Sequence, residues 1–471
     1  MAENNLKFPY PDHKDRLAQY EHYKKLFEGK HFEAFAIKID NKEYGKVYNQ
    51  LRYIAVNFAG LLSKVMADFL FSEPPKFKVD DGDQDFVDAL VEENKLNVQN
   101  YESALSNSFE GDAIYKLRIG KRNSEDKKPT IIIEDTQPNI YFPHTQSMNV
   151  RANPEKEEIA YLFKHGSKKY LYQEIQTPGL IQYKVFLMNG DEIAAEVLDP
   201  STVGIDVPAE AEQTLIDRNL IVHIPNWKTG SSRFGTSDYF DLEPLFYAIN
   251  NRITKVDNIL DKHSDPILAI PEGILDEDGK VKRERLNMIE VPDGSTGKQG
   301  KPEYIVWNAN LDSAIAEVDK LIEFLFMVSE TSPDILGMGK GISDSGRALK
   351  LKLIRTMAKA QRKRLYYDEG LKEVVYIAQL LAKAHNIEVG GIKLQKEAVR
   401  PEIEWFDGIP VDIVEQVDVE TKRIDAGLTS TKDALMRIDG VDEEVAEQKI
   451  VDIQAETQID LPEPSVKPDE K

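Results

Sequence analysis

Between Ser345 and Tyr367 the chain places Arg347, Lys350, Lys352, Arg355, Lys359, Arg362, Lys363 and Arg364 without one acidic residue among them. Cations at such density are what neutralising a phosphate backbone or pairing with an acidic protein surface requires. At about 100° per residue on a helix, Lys352, Lys359 and Lys363 share a narrow sector with Arg355 and Arg362 beside it. Leu353, Ile354, Met357, Ala360 and Leu365 fill the opposite side. The expectation is a helix with one packed face and one cationic face. The competing reading is a solvated face, or one that pairs with acidic neighbours.

Just before this run, SPDILGMGKGISDSG supplies Gly337, Gly339, Gly341 and Gly346. A Gly-rich loop invites phosphate binding, but this one departs from G-x-x-x-x-G-K-[ST] because Gly341 follows Lys340, and it follows a helix where a P-loop follows a strand. Nucleotide hydrolysis is therefore disfavoured. The eight histidines are scattered with no H-E-x-x-H spacing, so no metal site is expected. Acidic clusters at Asp80-Asp81 and at Asp276-Glu277-Asp278 sit in apparent turns, where carboxylates are common for local reasons. There is no G-x-S-x-G elbow and no cysteine, which removes acyl transfer on that motif, thiol nucleophiles and disulfides. Catalytic residues, metals and cofactors are thus all expected to be absent.

The elements that must hold the loop and the basic helix are legible on either side. Asn310 or Leu311 to Thr331 forms an apolar helix that Pro333 ends, and Asp241 to His263 forms another with Leu242, Leu245, Phe246, Ile249 and Ile253 at helical spacing. Residues 266–309, rich in Gly and Pro with short β-like runs, separate them, so the pair reads as an antiparallel hairpin carrying a small β module at its tip. The basic run continues as one helix to Asn386, with Gly370 as a possible bend and Ser343 or Ser345 as its cap.

Upstream, helices are expected at Asn57–Phe71 and Asp83–Glu110, then β-rich runs from Asp112 to Ile224 interrupted by a helix near Ala209–Asp217. Downstream, IKLQ and RPEIEWF read as strands, Ala426–Ile438 and Asp442–Glu456 as short helices, and the Pro-rich tail as disordered.

The 471 residues at 41% hydrophobic content suggest about three domains. The longest apolar block, Leu321 to Val328, is too short for a membrane span, and the N-terminal residues lack a signal-peptide pattern, so a soluble, unprocessed intracellular chain is expected. The net charge of -22 argues against a protein that grips nucleic acid with a basic surface.

TSPDILGMGKGISDSGRALKLKLIRTMAKAQRKRLYYDEGLKEVV resembles the loop-and-helix signature of portal proteins of tailed bacteriophages, the ring-shaped head-to-tail connectors through which DNA is packaged and ejected. Pro333, the Leu336-Gly337 pair and the Ser345 to Leu349 run carry the likeness, and the order of elements from about residue 20 to 460 extends it. It implies an α+β, multidomain portal fold. Residues 1–238 would be the wing, 239–265 and 310–332 the stem helices, and 266–309 a clip that meets terminase and adaptor proteins through Lys280, Lys282, Arg283 and Arg285. Residues 333–345 would form a tunnel loop facing DNA with Leu336, Met338, Lys340, Ile342 and Ser343. Residues 346–410 would return to the wing, 411–460 form the crown, and 461–471 a disordered tail.

The resemblance further implies a ring of twelve copies at one capsid vertex of the virion, assembled in the host cytoplasm with capsid and scaffolding proteins. Double-stranded DNA would pass through it, with no membrane involved. In that setting the basic helix faces either DNA or a neighbouring subunit. The rival readings are a nuclease or NTPase acting on DNA, and a monomeric or dimeric interaction module.

Overall fold

Asn57 opens the strongest apolar period of the N-terminal region, and its side chain accepts from the Gly60 amide at 2.9 Å to cap a helix over Phe58–Phe71. In the computed structural model this is α3, preceded by α1 (Lys14–Phe27) and α2 (His31–Ala34). The structure describes residues 7–36, 53–80, 82–123, 128–145, 153–263, 267–271, 288–291, 303–305, 311–338, 346–406 and 413–457.

The single helix expected over 83–110 is two, α4 (Gln84–Glu93) and α5 (Leu96–Glu110). Buried Asn94 accepts from the Ile133 amide at 3.0 Å, and Lys95 takes φ 49°. The break thus trades helical continuity for a tertiary hydrogen bond at a residue with poor helix preference.

The strands are β1 (Lys76–Lys78), β2 (Asp112–Gly120), β3 (Thr130–Thr136), β4 (Tyr141–His144), β5 (Lys156–His165), β6 (Lys168–Thr177), β7 (Leu180–Asn189), β8 (Glu192–Glu196), β9 (Glu212–Gln213) and β10 (Ile221–Pro225). One antiparallel sheet runs β10-β2-β3, and a meander runs β4-β5-β6-β7-β8 with β9 added to β7. The helix expected near Ala209–Asp217 is therefore absent. There β9 pairs with Leu180 and Ile181, the Thr214 amide donates to Gly179 at 3.0 Å, and Leu215 adopts φ 58°. Sheet pairing overrides the helix preference of the local Ala and Glu residues.

Next come α6 (Glu243–His263), β11 (Ile267–Pro271), β12 (Met288–Val291), β13 (Glu303–Ile305) and α7 (Leu311–Val328). Leu242 and Phe246 share a core cluster with Leu325 and Phe326, while Arg252 pairs with Glu317 at 2.9 Å. That register makes α6 and α7 an antiparallel hairpin with the three-stranded sheet β12-β11-β13 between its arms in sequence. The cluster also contains Tyr23, Leu26, Phe58 and Leu62, so the base of the hairpin rests on α1 and α3.

The basic run lies in α8 (Gly346–His385), 40 residues and roughly 60 Å long at 1.5 Å per residue. The helix runs unbroken through Gly370. A Cβ there would stand 2.4 Å from Ile224 of β10, so the glycine serves close packing against the sheet. Tyr367, Leu371, Val374, Ala378 and Leu381 bury the same face against β2, β3 and β10. The hairpin β14 (Glu388–Val389) and β15 (Ile392–Lys393) follows, then β16 (Glu402–Glu404) pairs with β1.

The chain divides into two compact units, residues 1–337 with 355–408 and residues 338–354 with 409–471. Everything above except the first turns of α8 belongs to the first. The second contains α9 (Ile413–Asp425), α10 (Thr431–Asp439) and α11 (Glu443–Thr457). The helix expected over Ala426–Ile438 begins instead at Thr431, where Ser430 caps α10 by accepting from the Asp433 amide. Glu420 of α9 bridges Arg423 and Arg437 at 3.0 and 2.7 Å, tying α9 to α10.

Candidate functional site

Asp238 lies in the turn between β10 and α6 with its side chain 3% exposed. Its carboxylate accepts from Ser108 Oγ at 2.7 Å and Asn226 Nδ2 at 3.1 Å, and from Lys363 Nζ at 2.8 Å, with Lys359 Nζ at 3.4 Å. Lys363 also donates to Asn226 Oδ1. Burial alone would push the Asp238 carboxyl up, but Lys359 and Lys363 outweigh it and hold the group well below the usual carboxylate range. Burial lowers Lys363 to about 8, against the pull of Asp238. Two buried cations on one buried anion leave a net positive charge that the neutral donors and acceptors around it must spread.

A second cluster sits at the end of α7. Glu330 takes φ 56°, an uncommon conformation for a residue with a side chain, and redirects the chain away from the helix. Its carboxylate pairs with Arg355 at 3.0 Å and Arg362 at 2.7 Å, and its carbonyl accepts from Thr356 Oγ1 at 3.1 Å. Thr356 Oγ1 in turn accepts from the Ser332 amide at 2.8 Å, and Lys359 Nζ donates to the Ser329 carbonyl at 3.1 Å. Residues 355, 356, 359 and 362, which share one face of α8, thus clasp the carbonyl end of α7, where the helix dipole favours cations.

The cationic face of α8 accordingly differs from the expectation. Lys359 and Lys363 are buried, as is Arg364, which donates to the Phe69 carbonyl at 2.7 Å and lies over the Trp405 ring. Lys350, Lys352, Arg355 and Arg362 are exposed; the side chain of Arg347 lies outside the described residues. Of the residues expected to pack, Leu353 and Ala360 are buried, Met357 is half-buried, and Ile354 and Leu365 are exposed. Periodicity separates two faces of a helix but cannot say which is inward when buried carboxylates and carbonyls wait opposite the cations.

The loop begins with a 3-10 turn over Pro333–Leu336, where Ser332 Oγ accepts from the Asp334 amide at 3.3 Å. Gly337 at φ 68° closes it. Leu336 is half-buried against the hairpin's core cluster, and Met338 is exposed. Lys340, Ile342 and Ser343, with Lys280, Lys282, Arg283 and Arg285, lie outside the described residues. A cleft of about 510 Å³ opens between the two clusters, lined by Trp227, Asp238, Val328, Lys359, Arg362 and Leu365 among others.

Asp238, Asn226 and Glu330 are the residues that spacing missed. Asp238 lies 125 positions from Lys363, so no local pattern joins them; for Glu330 the one nearby signal is the helix stop at Pro333. Among the described residues no group of His, Asp and Glu has a metal-holding arrangement. Several histidines pair with carboxylates instead, His22 with Glu243, His144 with Glu158 and His223 with Asp112, at 2.6–2.9 Å. No described helix is long and apolar enough to cross a membrane.

A family model described as "Phage portal protein, SPP1 Gp6-like" matches residues 6–461. No curated protein matches the chain. Among solved structures, a chain in the virion of a native gene transfer agent particle is 12% identical, with 81% of this chain and 89% of that chain covered at a TM-score of 0.42. Chains in the neck of the native particle, computed with C12 symmetry, and of the empty particle, computed with C6 symmetry, show 11% and 12% identity over the same shares, at TM-scores of 0.40 and 0.42.

Proposed function

This chain belongs to the SPP1 Gp6-like phage portal protein family, and from that premise we propose that it forms a closed ring at one capsid vertex through which double-stranded DNA enters and leaves. As a portal protein it is the connector between head and tail. We read it as a structural conduit, with ATP hydrolysis supplied by a separate terminase. Terminase and adaptor proteins would dock on the module 266–309, with Lys280, Lys282, Arg283 and Arg285 as contacts. Residues 1–238 serve as wing, α6 and α7 as stem, and 411–460 as crown. Capsid and scaffolding proteins are the remaining assembly partners, and assembly takes place in the host cytoplasm.

The observation that carries the conduit reading is the double clasp on α8. Functional loops work when a rigid scaffold fixes their ends. The chain leaving α7 turns at Glu330 ahead of the segment 333–345, and α8 holds that turn through Arg355, Thr356, Lys359 and Arg362. The same helix turns Lys359 and Lys363 inward and pairs Arg355 and Arg362 with Glu330, which suits a chain of net charge -22 along which DNA must slide without being gripped. Lys340 is the residue we assign to phosphate contact.

Negative-stain images of the purified chain test the ring directly. Closed rings with a central channel are expected, and a monodisperse monomer that stays monomeric with its capsid and scaffolding partners would overturn the reading. Lys340→Glu should then reduce DNA packaged per particle while leaving ring images unchanged. Loss of the ring would instead make the loop an assembly element.

A further inference from the structure

Among the described residues, the hairpin base carries an uncovered apolar patch on each flank. On one, Phe324, Met327 and Val328 follow at helical spacing on α7, and Leu365 and Trp227 continue the patch across the 510 Å³ cleft. Met327 is 72% and Leu365 70% exposed. On the other, Tyr247 of α6, 44% exposed, stands edge-on to Phe35 at 5.3 Å, and exposed Phe32 of α2 lies by Tyr53. Tyr247 is not among the residues lining the cleft and stands against Phe35 of α2, so the two patches are separate surfaces of the hairpin base. Contiguous exposed apolar surface of this kind marks an interaction site.

Their charges differ in sign. The α7–α8 patch is edged by Arg355 and Arg362 against Glu330, the α2–α6 patch by Glu28 and Glu33 against Lys30. Either patch placed on its own copy would set two net charges of the same sign against each other. Placed on the other, arginines meet glutamates and aromatic rings meet aliphatic side chains.

We infer that the two patches are the two halves of one contact between copies of this chain, the α7–α8 patch of one subunit seating on the α2–α6 patch of the next. Because it joins different surfaces, the contact is head-to-tail and continues from copy to copy until it closes. The inference rests on the ring reading above and names the surfaces that build the ring.

The test places the photo-crosslinking residue p-benzoylphenylalanine at position 365 of the full-length chain and maps crosslinks in assembled rings by mass spectrometry. The expected result is a ladder of species beyond the dimer, with crosslinks to residues 28–35 or 244–251 of another copy. Intact rings whose crosslinks fall elsewhere, or stop at dimers, would overturn the inference and leave the ring reading standing. A chain that stays monomeric with its assembly partners would remove both. Leu365→Glu and Met327→Glu, at positions outside the folded core, should weaken assembly by about tenfold or more in apparent dissociation constant. Their unfolding midpoints should match the parent chain. Assembly as strong as the parent's would count against the patch.

Discussion

Asp238 is the buried anion on which two buried lysines depend. Asp238→Asn leaves both cations without their anion, and removal of one partner from a buried pair costs about 3–5 kcal/mol. Urea unfolding should register that loss, and adding Lys363→Met should recover part of it; an unchanged midpoint would mean water already screens the cluster.

Three carboxyls set a separate pH dependence. Burial raises Glu110 to about 8 and Asp135 and Glu157 to about 7, from ordinary values of 4.5, 3.8 and 4.5. Between those limits the folded chain holds protons that the unfolded chain has released, so stability from these groups is present below the ordinary values and lost as pH rises toward 8. Thermal midpoints should therefore fall from pH 5 to pH 8. Glu110→Gln should flatten the profile, and an equally steep profile in that variant would assign the slope to other groups.

Among the elements, α8 joins sheet, hairpin and loop, and at Gly370 it packs tightly on Ile224 of the sheet. Alanine there gains about 1 kcal/mol in helix preference. Its Cβ would meet Ile224 at 2.4 Å, however, and overpacking of a filled core costs about 1–3 kcal/mol. Gly370→Ala should destabilise on balance, and Ile224→Val in the same chain should restore part of the loss. A stabilised single variant would show that sheet and helix can separate at that point.

For the whole molecule, charge is the controlling quantity. A chain at -22 repels a polyanion as a whole, and its basic helix turns Lys359, Lys363 and Arg364 inward, away from any DNA. Fluorescence anisotropy with linear duplex DNA at physiological salt should give a dissociation constant of about 10⁻⁶ M or weaker, the range of non-specific binding. Nanomolar affinity would be incompatible with a conduit along which DNA slides.

The sequence by itself determined the elements whose signals are local. The α3 period with its Asn57 cap, the β-rich stretch after Asp112, the two apolar helices around a β module and the Pro333 break are all set by neighbours within a few residues, and each lies in the fold near its expected bounds. The Ser-Gly-x-Ala-Leu run and element order likewise carried the family. Tertiary structure alone decided the rest. Lys359 and Lys363 turn inward and Leu365 outward because Asp238, Asn226 and the carbonyl end of α7 come from distant segments, and hydrogen-bonded charge pairs offset the desolvation that would otherwise expel a lysine. The same holds for the helix lost to β9 and the break at Asn94, where partners far along the chain outbid local preference.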